Sequence, residues 1–441
     1  VDLLKVHLPY TESDHVLNIA YNILAGGTCL QDLELRRNDE VYVDALGAMR
    51  IPDPTTAGDF CRRFKTDQDV LALMAAINVC RLKVWKQQPP EFFELAVLDA
   101  DGLIAPTDGQ RKKGIGLSYK GLWGYHPLLI SLANTKEVLF LVNRSGNRPS
   151  QEQADVYLDK AIELCFKGGF RNILLRGDTD FTQTWKLDGW DAAGNIKFIL
   201  GIDAMPNLKA LAAALPESDW KRLQRPPRYQ VKTSERERRE NVREGIVVKR
   251  GYTNLVLLYE DVAEFDYRPG NCEQDYRMVA VRKTISVRKG DVELRVEHRH
   301  FFYITNERSL PAEQIVFQAN ERCDQENLIA QLKGGVRAMY NPVDNLHSNW
   351  AYMVMASLAW TLKSWCALLL PAPKGPWHVR YRTERQELLK MEFKRFVNSM
   401  IQLPCQIVKT GGRIIYRLLS WNPWASSLVR LSEAMRKPLL C

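Results

Sequence analysis

From Glu94 to Ile202 the chain alternates short apolar runs with helical stripes, and few folds accommodate that order. Leu95-Ala96-Val97-Leu98, Leu128-Leu129-Ile130 and Val138-Leu139-Phe140-Leu141-Val142 have the length and continuity of buried strands. Ala154, Tyr157, Leu158, Ala161, Ile162 and Cys165 then recur at helical spacing, and Gly168-Gly169 closes that run. Strand-length runs follow at Ile173 to Leu175 and Phe198 to Ile202.

Three strands in a meander, a helix, a strand, a helix and a strand is the order of a ribonuclease-H-like α/β core, so the expected fold class is α/β. The first ninety residues read instead as helices. Val16, Leu17, Ala20, Ile23 and Leu24 form one stripe, stopped by Gly26-Gly27, and Val70, Leu71, Met74, Ile77 and Leu82 form another. Pro54-Thr55-Thr56 reads as a helix start with a threonine cap, ahead of a turn carrying Arg62, Arg63 and Lys65. Residues 1–90 are therefore expected to be a small helical domain with basic edges and 91–225 the first part of the core.

Residues 226–300 break the alternation. They open on a charged, proline-containing segment and continue with strand-like runs at Ile246-Val247-Val248, Leu255 to Tyr259, Met278 to Val281 and Val292 to Val296, which predicts a β-rich insertion. Over 301–370 the core resumes with a strand at Phe301 to Ile304 and long helices from Pro311 to Lys333 and from His347 to Leu370. Residues 371–441 read as a basic C-terminal region. It has a helix with Leu389, Phe393, Phe396, Val397 and Met400 on one face, and a hairpin turning at Gly411-Gly412.

With 46% hydrophobic and 26% charged residues, the composition is that of a soluble globular chain, and it excludes fibrous and disordered classes. A net charge of +9 favours a polyanionic partner, nucleic acid ahead of a membrane surface. The stretch from Ala351 to Leu370 is the one membrane candidate, but Lys363 interrupts it and Trp, Ser and Thr dilute it, so a buried helix is expected. The nine cysteines contain no CxxC pair, and His298 and His300 have no cysteine placed to complete a zinc site, which points to reduced thiols in a cytoplasmic protein. Val1-Asp2-Leu3-Leu4-Lys5 carries no signal-peptide pattern, and the missing start methionine points to a true N-terminus upstream.

Acidic residues stand where strands end. Asp99 and Asp101 close the run from Leu95 to Leu98 and share one strand face, since side chains alternate with a period of two. Asp178 follows Ile173-Leu174-Leu175-Arg176-Gly177, with Asp180 two residues on. Arg322, Glu326 and Lys333, spaced by four and seven, fall on one face of a predicted helix. Each feature alone also fits a bland account, a polar turn or a solvated face. Together they fit phosphodiester chemistry, which needs hard oxygen ligands holding two magnesium ions about 4 Å apart. The chemistry alone does not choose between Asp99 and Asp101, nor between Asp178 and Asp180.

These blocks resemble the DDE transposases of bacterial insertion sequences, specifically the insertion-sequence-1380 group (transposase DDE domain group 1). Leu98-Asp99-Ala100-Asp101 followed by Pro106-Thr107-Asp108-Gly109-Gln110 is similar to that group's first block, and Arg176-Gly177-Asp178-Thr179-Asp180-Phe181 to its second. Arg322 to Lys333 matches the R-x3-E-x6-K of the wider clan's signature helix, and Phe302-Tyr303-Ile304-Thr305-Asn306 resembles the strand before it. Pro54-Thr55-Thr56 is similar to a motif in the group's N-terminal region. Three positions depart from the pattern: Ala319 replaces a tyrosine, Leu103 a threonine and Asp180 a glycine.

The resemblance implies a ribonuclease-H-like core with a β insertion between the second Asp and the Glu, and a catalytic, metal-binding triad of Asp101, Asp178 and Glu326, with Asp99 and Asp180 as alternative ligands. It implies Mg2+, with Mn2+ able to substitute. The implied partners are double-stranded DNA, as terminal inverted repeats and target, and a second copy in a homodimeric DNA complex, cytoplasmic and nucleoid-associated, with no membrane. Arg322, Lys333, Arg62, Arg63, Lys221, Arg222, Arg225 and Arg228 are the expected phosphate contacts. Lys232, Arg380, Arg382, Arg385, Lys394 and Arg395 are further basic candidates, although Glu235, Glu237, Glu240 and Glu244 make a solvated charged helix equally consistent after Lys232. The implied function is cut-and-paste transposition. The competing readings are a nuclease on the same core that never joins DNA, and a non-catalytic DNA-binding descendant.

Overall fold

The expected run of three strands, helix, strand, helix and strand is present in the computed structural model, which describes residues 3–4, 9–225, 241–419 and 422–436. Two compact units divide the chain, Val1–Ile173 with Cys323–Cys441, and Leu174–Arg322.

In the first unit, strand Leu95–Gly102 pairs antiparallel with Leu128–Leu132, which pairs antiparallel with Glu137–Val142. Every residue of the last two strands is buried, as their unbroken apolar runs require. Helix Ala154–Lys167 packs on these strands, and helix Leu346–Leu369 packs on Glu137–Val142. The latter is long and apolar enough to cross a membrane, yet its apolar window is 83% buried within the protein. Trp360 donates its indole N–H to the Lys136 carbonyl at 2.6 Å, and Lys363 donates to the Leu389 carbonyl at 2.7 Å, so these two side chains are satisfied inside the core.

The N-terminal helices Glu12–Leu24 and Asp67–Trp85 also pack on Leu346–Leu369. Helix Pro54–Cys61 starts as expected, but its cap is Asp53, whose carboxylate accepts from the Thr56 amide at 2.9 Å, with Pro54 in the first turn. The face buried by Asp67–Trp85 also differs from the apolar stripe: it carries Val70, Met74, Asn78, Arg81, Val84 and Trp85. Arg81 lies on that face because Glu137 needs it, and Asn78 accepts from Arg81. The Glu137 carboxylate is fully buried and accepts from Arg81 Nε at 3.0 Å, Trp85 Nε1 at 3.0 Å, Trp365 Nε1 at 2.7 Å and Thr135 Oγ1 at 2.6 Å. A small three-stranded sheet, Ala105–Pro106, Trp123–Tyr125 and Gly116–Leu117, follows the first strand and has no signal in the sequence pattern.

Beyond Leu346–Leu369 come helix His378–Lys390, the short turns Phe393–Phe396 and Val397–Ile401, and strands Cys405–Thr410 and Arg413–Leu418. Leu389, Phe393, Phe396, Val397 and Met400 are all buried, although a break at Met391 and Glu392 divides the expected single helix. The hairpin turns at Gly411 and Gly412, whose φ values of 54° and 70° suit a type I′ turn.

In the second unit, strands Asn172–Gly177 (whose first two residues belong to the first unit), Ile196–Ile202, Val292–Thr305, Tyr276–Lys289, Thr253–Tyr267 and Lys221–Arg222 lie side by side in that order. The β-rich insertion is thus three long antiparallel strands. Val292 to Val296 and Phe301 to Ile304, read as separate runs, are one strand, because Ala280 to Val287 pairs along both parts. Ile246-Val247-Val248 is helical rather than extended. It lies in helix Val242–Lys249, where Asn241 Oδ1 caps the Glu244 amide, so the cap overrides the β-branched preference.

Breaking one partner of a buried ion pair leaves an uncompensated charge, which costs about 3–5 kcal/mol. Glu137→Gln is therefore expected to lower the unfolding free energy by that order and so shift the urea midpoint, followed by tryptophan fluorescence, to lower concentration. An unchanged midpoint would show that the carboxylate is not the anchor.

Candidate active site

Strand Leu95–Gly102 sets Asp99 opposite Ser131 and Asp101 opposite Leu129. Asp99 is 1% exposed, whereas Asp101 is half-buried, so Asp101 is the more solvent-accessible carboxylate of this pair. Gly102 allows the turn after it: a Cβ there would lie 3.0 Å from His126 Nε2 and 3.1 Å from Ser150 Cβ.

Glu326 is exposed on helix Cys323–Ala330. Its neighbour Gln325 is buried and donates to the Asp99 carbonyl at 3.0 Å and to the Ser131 hydroxyl at 3.3 Å, while Asp324 pairs with Lys136 at 2.9 Å. These contacts hold the Glu-bearing helix against the strand that carries Asp99 and Asp101. Lys333 follows in the π-turn Gln331–Gly335. Its ammonium is held below the ordinary lysine value by desolvation and by Lys120, partly offset by Asp101.

The one-helix expectation for Pro311 to Lys333 is corrected by a specific competitor. Arg176, itself buried, donates to the Gln318 carbonyl at 2.9 Å. That carbonyl is the one an unbroken α-helix would offer to the Arg322 amide, which bonds Ala319 at 3.3 Å instead. Helix Ala312–Asn320 therefore ends, and Glu321 and Arg322 form a turn before Cys323. With Arg322 in that turn and Lys333 in a wider coil, the arithmetic that placed both on the face of Glu326 does not hold.

In the second unit, Asp178 caps the 3-10 turn Thr179–Phe181, accepting from the Asp180 amide at 3.1 Å. Arg322 Nη2 stands 3.8 Å from its other oxygen. Burial pushes the Asp178 carboxyl above the ordinary aspartate value; Arg322 opposes this, and the charges of Asp180 and Asp203 add to it. Gly201 makes room for the turn, since a Cβ there would stand 3.1 Å from the Thr179 amide nitrogen and 3.2 Å from the Asp178 carbonyl carbon.

Two separately built carboxylate settings result, Asp101 with Lys333 in one unit and Asp178 with Arg322, Asp180 and Asp203 in the other. Among the described residues, no group of three or more His, Cys, Asp and Glu side chains is arranged to hold a metal ion. The donor set itself, carboxylate oxygens beside repelling carboxylates, suits a hard divalent cation. Sequence reasoning missed Gln325 and Gly201, and named Arg176 only within the second block, without its role. None carries a chemical signal of its own, and each acts by placing a neighbour.

The expected phosphate contacts are largely engaged. Arg62 pairs with Asp59 at 2.8 Å and Asp344 at 3.0 Å, and Arg63 donates to the Leu3 carbonyl at 3.3 Å. Arg222 pairs with Asp261 at 2.8 Å and lies over the Tyr259 ring, and Arg225 forks onto Glu260. Lys221 is exposed at the edge of the insertion sheet, opposite Val262. Arg228 and Lys232 lie outside the described residues.

The family model for transposase DDE domain group 1 matches residues 7–438. The chain belongs to that family. No curated protein matches its sequence. Among solved structures it is similar to a piggyBac transposase synaptic complex with hairpin DNA, at 11% identity and a TM-score of 0.39, covering 91% of this chain and 76% of that one.

Gln325→Leu keeps side-chain bulk but leaves the Asp99 carbonyl without this donor, a loss of about 1–3 kcal/mol. Amides of 323–330 are then expected to exchange with deuterium roughly ten-fold faster or more. Unchanged exchange would show that Gln325 does not hold the helix.

Proposed function

We propose that this transposase-family chain cleaves DNA at the ends of its element and joins the resulting 3′-hydroxyls to target DNA, on a ribonuclease-H-like core, with Asp101, Asp178 and Glu326 as metal ligands. The observation that carries this reading is the setting of Asp178, a half-buried carboxylate crowded by Asp180 and Asp203 at a strand end, where added positive charge is stabilising. Asp101 is preferred to Asp99 because it is the less buried of the two.

Bound Mg2+, or Mn2+ in its place, supplies activation of the attacking oxygen and stabilisation of the leaving one. The chain's own groups bind and orient. Arg322 beside Asp178 and Lys333 near Asp101 are placed to neutralise phosphate oxygens flanking the scissile bond. The net charge of +9 favours approach to DNA. Action as a homodimer on paired DNA ends, in the bacterial cytoplasm at the nucleoid, completes the reading.

The test joins pre-cut DNA ends, taken from the sequences flanking the reading frame, to a supercoiled plasmid with Mg2+. Wild-type protein should give joined products. Asp178→Asn and Glu326→Gln should each lower joining about a thousand-fold or more while keeping the wild-type circular dichroism spectrum. Full joining by Asp178→Asn would remove that residue from the site, and nicking without joining would favour a nuclease.

A further inference from the structure

The hairpin Cys405–Thr410 and Arg413–Leu418 belongs to neither the strands nor the helices of the core. It is a two-stranded sheet of its own, and an isolated hairpin is marginal in water. Every residue of Arg413–Leu418 is exposed. From Leu403 to Leu419 the chain contains Lys409, Arg413 and Arg417 and no Asp or Glu, so this ribbon carries a charge of +3.

The pairing register sorts its side chains. Gln406 stands opposite Arg417, Val408 opposite Ile415 and Thr410 opposite Arg413, which puts these six on one face, with the apolar pair Val408 and Ile415 between the two arginines and their polar partners. The other face carries Cys405, Ile407, Lys409, Ile414, Tyr416 and Leu418, and Lys409 reaches Glu40 at 3.5 Å and Asp44 at 3.4 Å in helix Glu40–Ala45. That tether leaves the arginine face outward. Unlike Arg62, Arg222 and Arg225, Arg413 and Arg417 make no ion pair among the described residues.

We propose that this ribbon is a DNA-binding element that enters the major groove of duplex DNA, with Arg413 and Arg417 meeting phosphates and Gln406 and Thr410 facing base edges. A two-stranded ribbon fits that groove, and Gln and Thr are side chains that read base edges there. A ribbon held through Lys409 on one face, with its arginine face outward, suits insertion between two DNA backbones. The inference rests on DNA being the partner, as in the proposed function, and adds a contact surface remote in sequence from every carboxylate of the triad.

The test uses the full chain and a fluorescent duplex carrying an end of the element, with affinity measured by anisotropy across a salt series. Arg413→Ala with Arg417→Ala should weaken binding ten-fold or more and reduce the slope of log affinity against log salt by about 1.8, the release expected from two phosphate contacts. Arg413→Lys with Arg417→Lys should keep the slope, because charge is retained. Amides of 405–418 should gain deuterium protection when DNA is added. An alanine pair with wild-type affinity and slope overturns the ribbon while leaving the transposase reading intact, whereas wild-type protein that binds no duplex overturns both. Protection of 405–418 that rises with protein concentration in the absence of DNA would assign the ribbon to self-pairing and overturn the proposal.

Discussion

Glu137 is the residue on which the first unit depends. A carboxylate removed from water carries a desolvation penalty of several kcal/mol, which stands only where charge and hydrogen bonds offset it. Four donors do so: Arg81 and Trp85 from helix Asp67–Trp85, Trp365 from helix Leu346–Leu369 and Thr135 from the adjacent turn. Because Glu137–Val142 carries Leu128–Leu132, which carries Leu95–Gly102, the register of Asp101 is inherited strand by strand from that anchored edge. In the proposed function that placement matters, because a metal-binding carboxylate has to be fixed on rigid neighbouring elements.

The second unit uses a smaller version of the same device. Arg176 is buried where strand Asn172–Gly177 ends, and its hydrogen bond to Gln318 ends a helix one residue before Glu321 and Arg322. One guanidinium thus frees Arg322 from the helix and leaves it 3.8 Å from Asp178. Ion pairing decides which cations remain available for an outside partner. Arg62, Arg222 and Arg225 answer carboxylates of the protein itself, so the overall charge of +9 does not locate the DNA surface.

Much of the fold was legible in the sequence. The runs at Leu128 and Val138 announced strands because they are buried on both faces, the run at Leu95 did so although Leu95 and Val97 leave its other face partly open, and Gly411-Gly412 announced a hairpin because a type I′ turn needs positive φ twice. What was not legible depended on partners far along the chain. Arg81 interrupts an apolar stripe on account of Glu137, with Asn78 accepting from Arg81, and the helix from Pro311 breaks on account of Arg176. At Ile246 a single cap decided between two local preferences. In the candidate site, residue types and spacing picked out the blocks around Asp99 and Asp101, Asp178 and Asp180, and Glu326, and the family resemblance narrowed them to Asp101, Asp178 and Glu326, but nothing in them told that Asp99 would be the buried member of its pair or that Gln325 would dock the helix.

The proposed function requires that Asp101, Asp178 and Glu326 together hold the metal ions of a DNA-joining enzyme. Anomalous diffraction from crystals of the protein with DNA ends and Mn2+ tests it most directly. The account predicts manganese peaks about 4 Å apart, each within coordination distance of those carboxylates. Peaks held by Asp99 and Asp180 in their place, or no peak at any of the three, would contradict it.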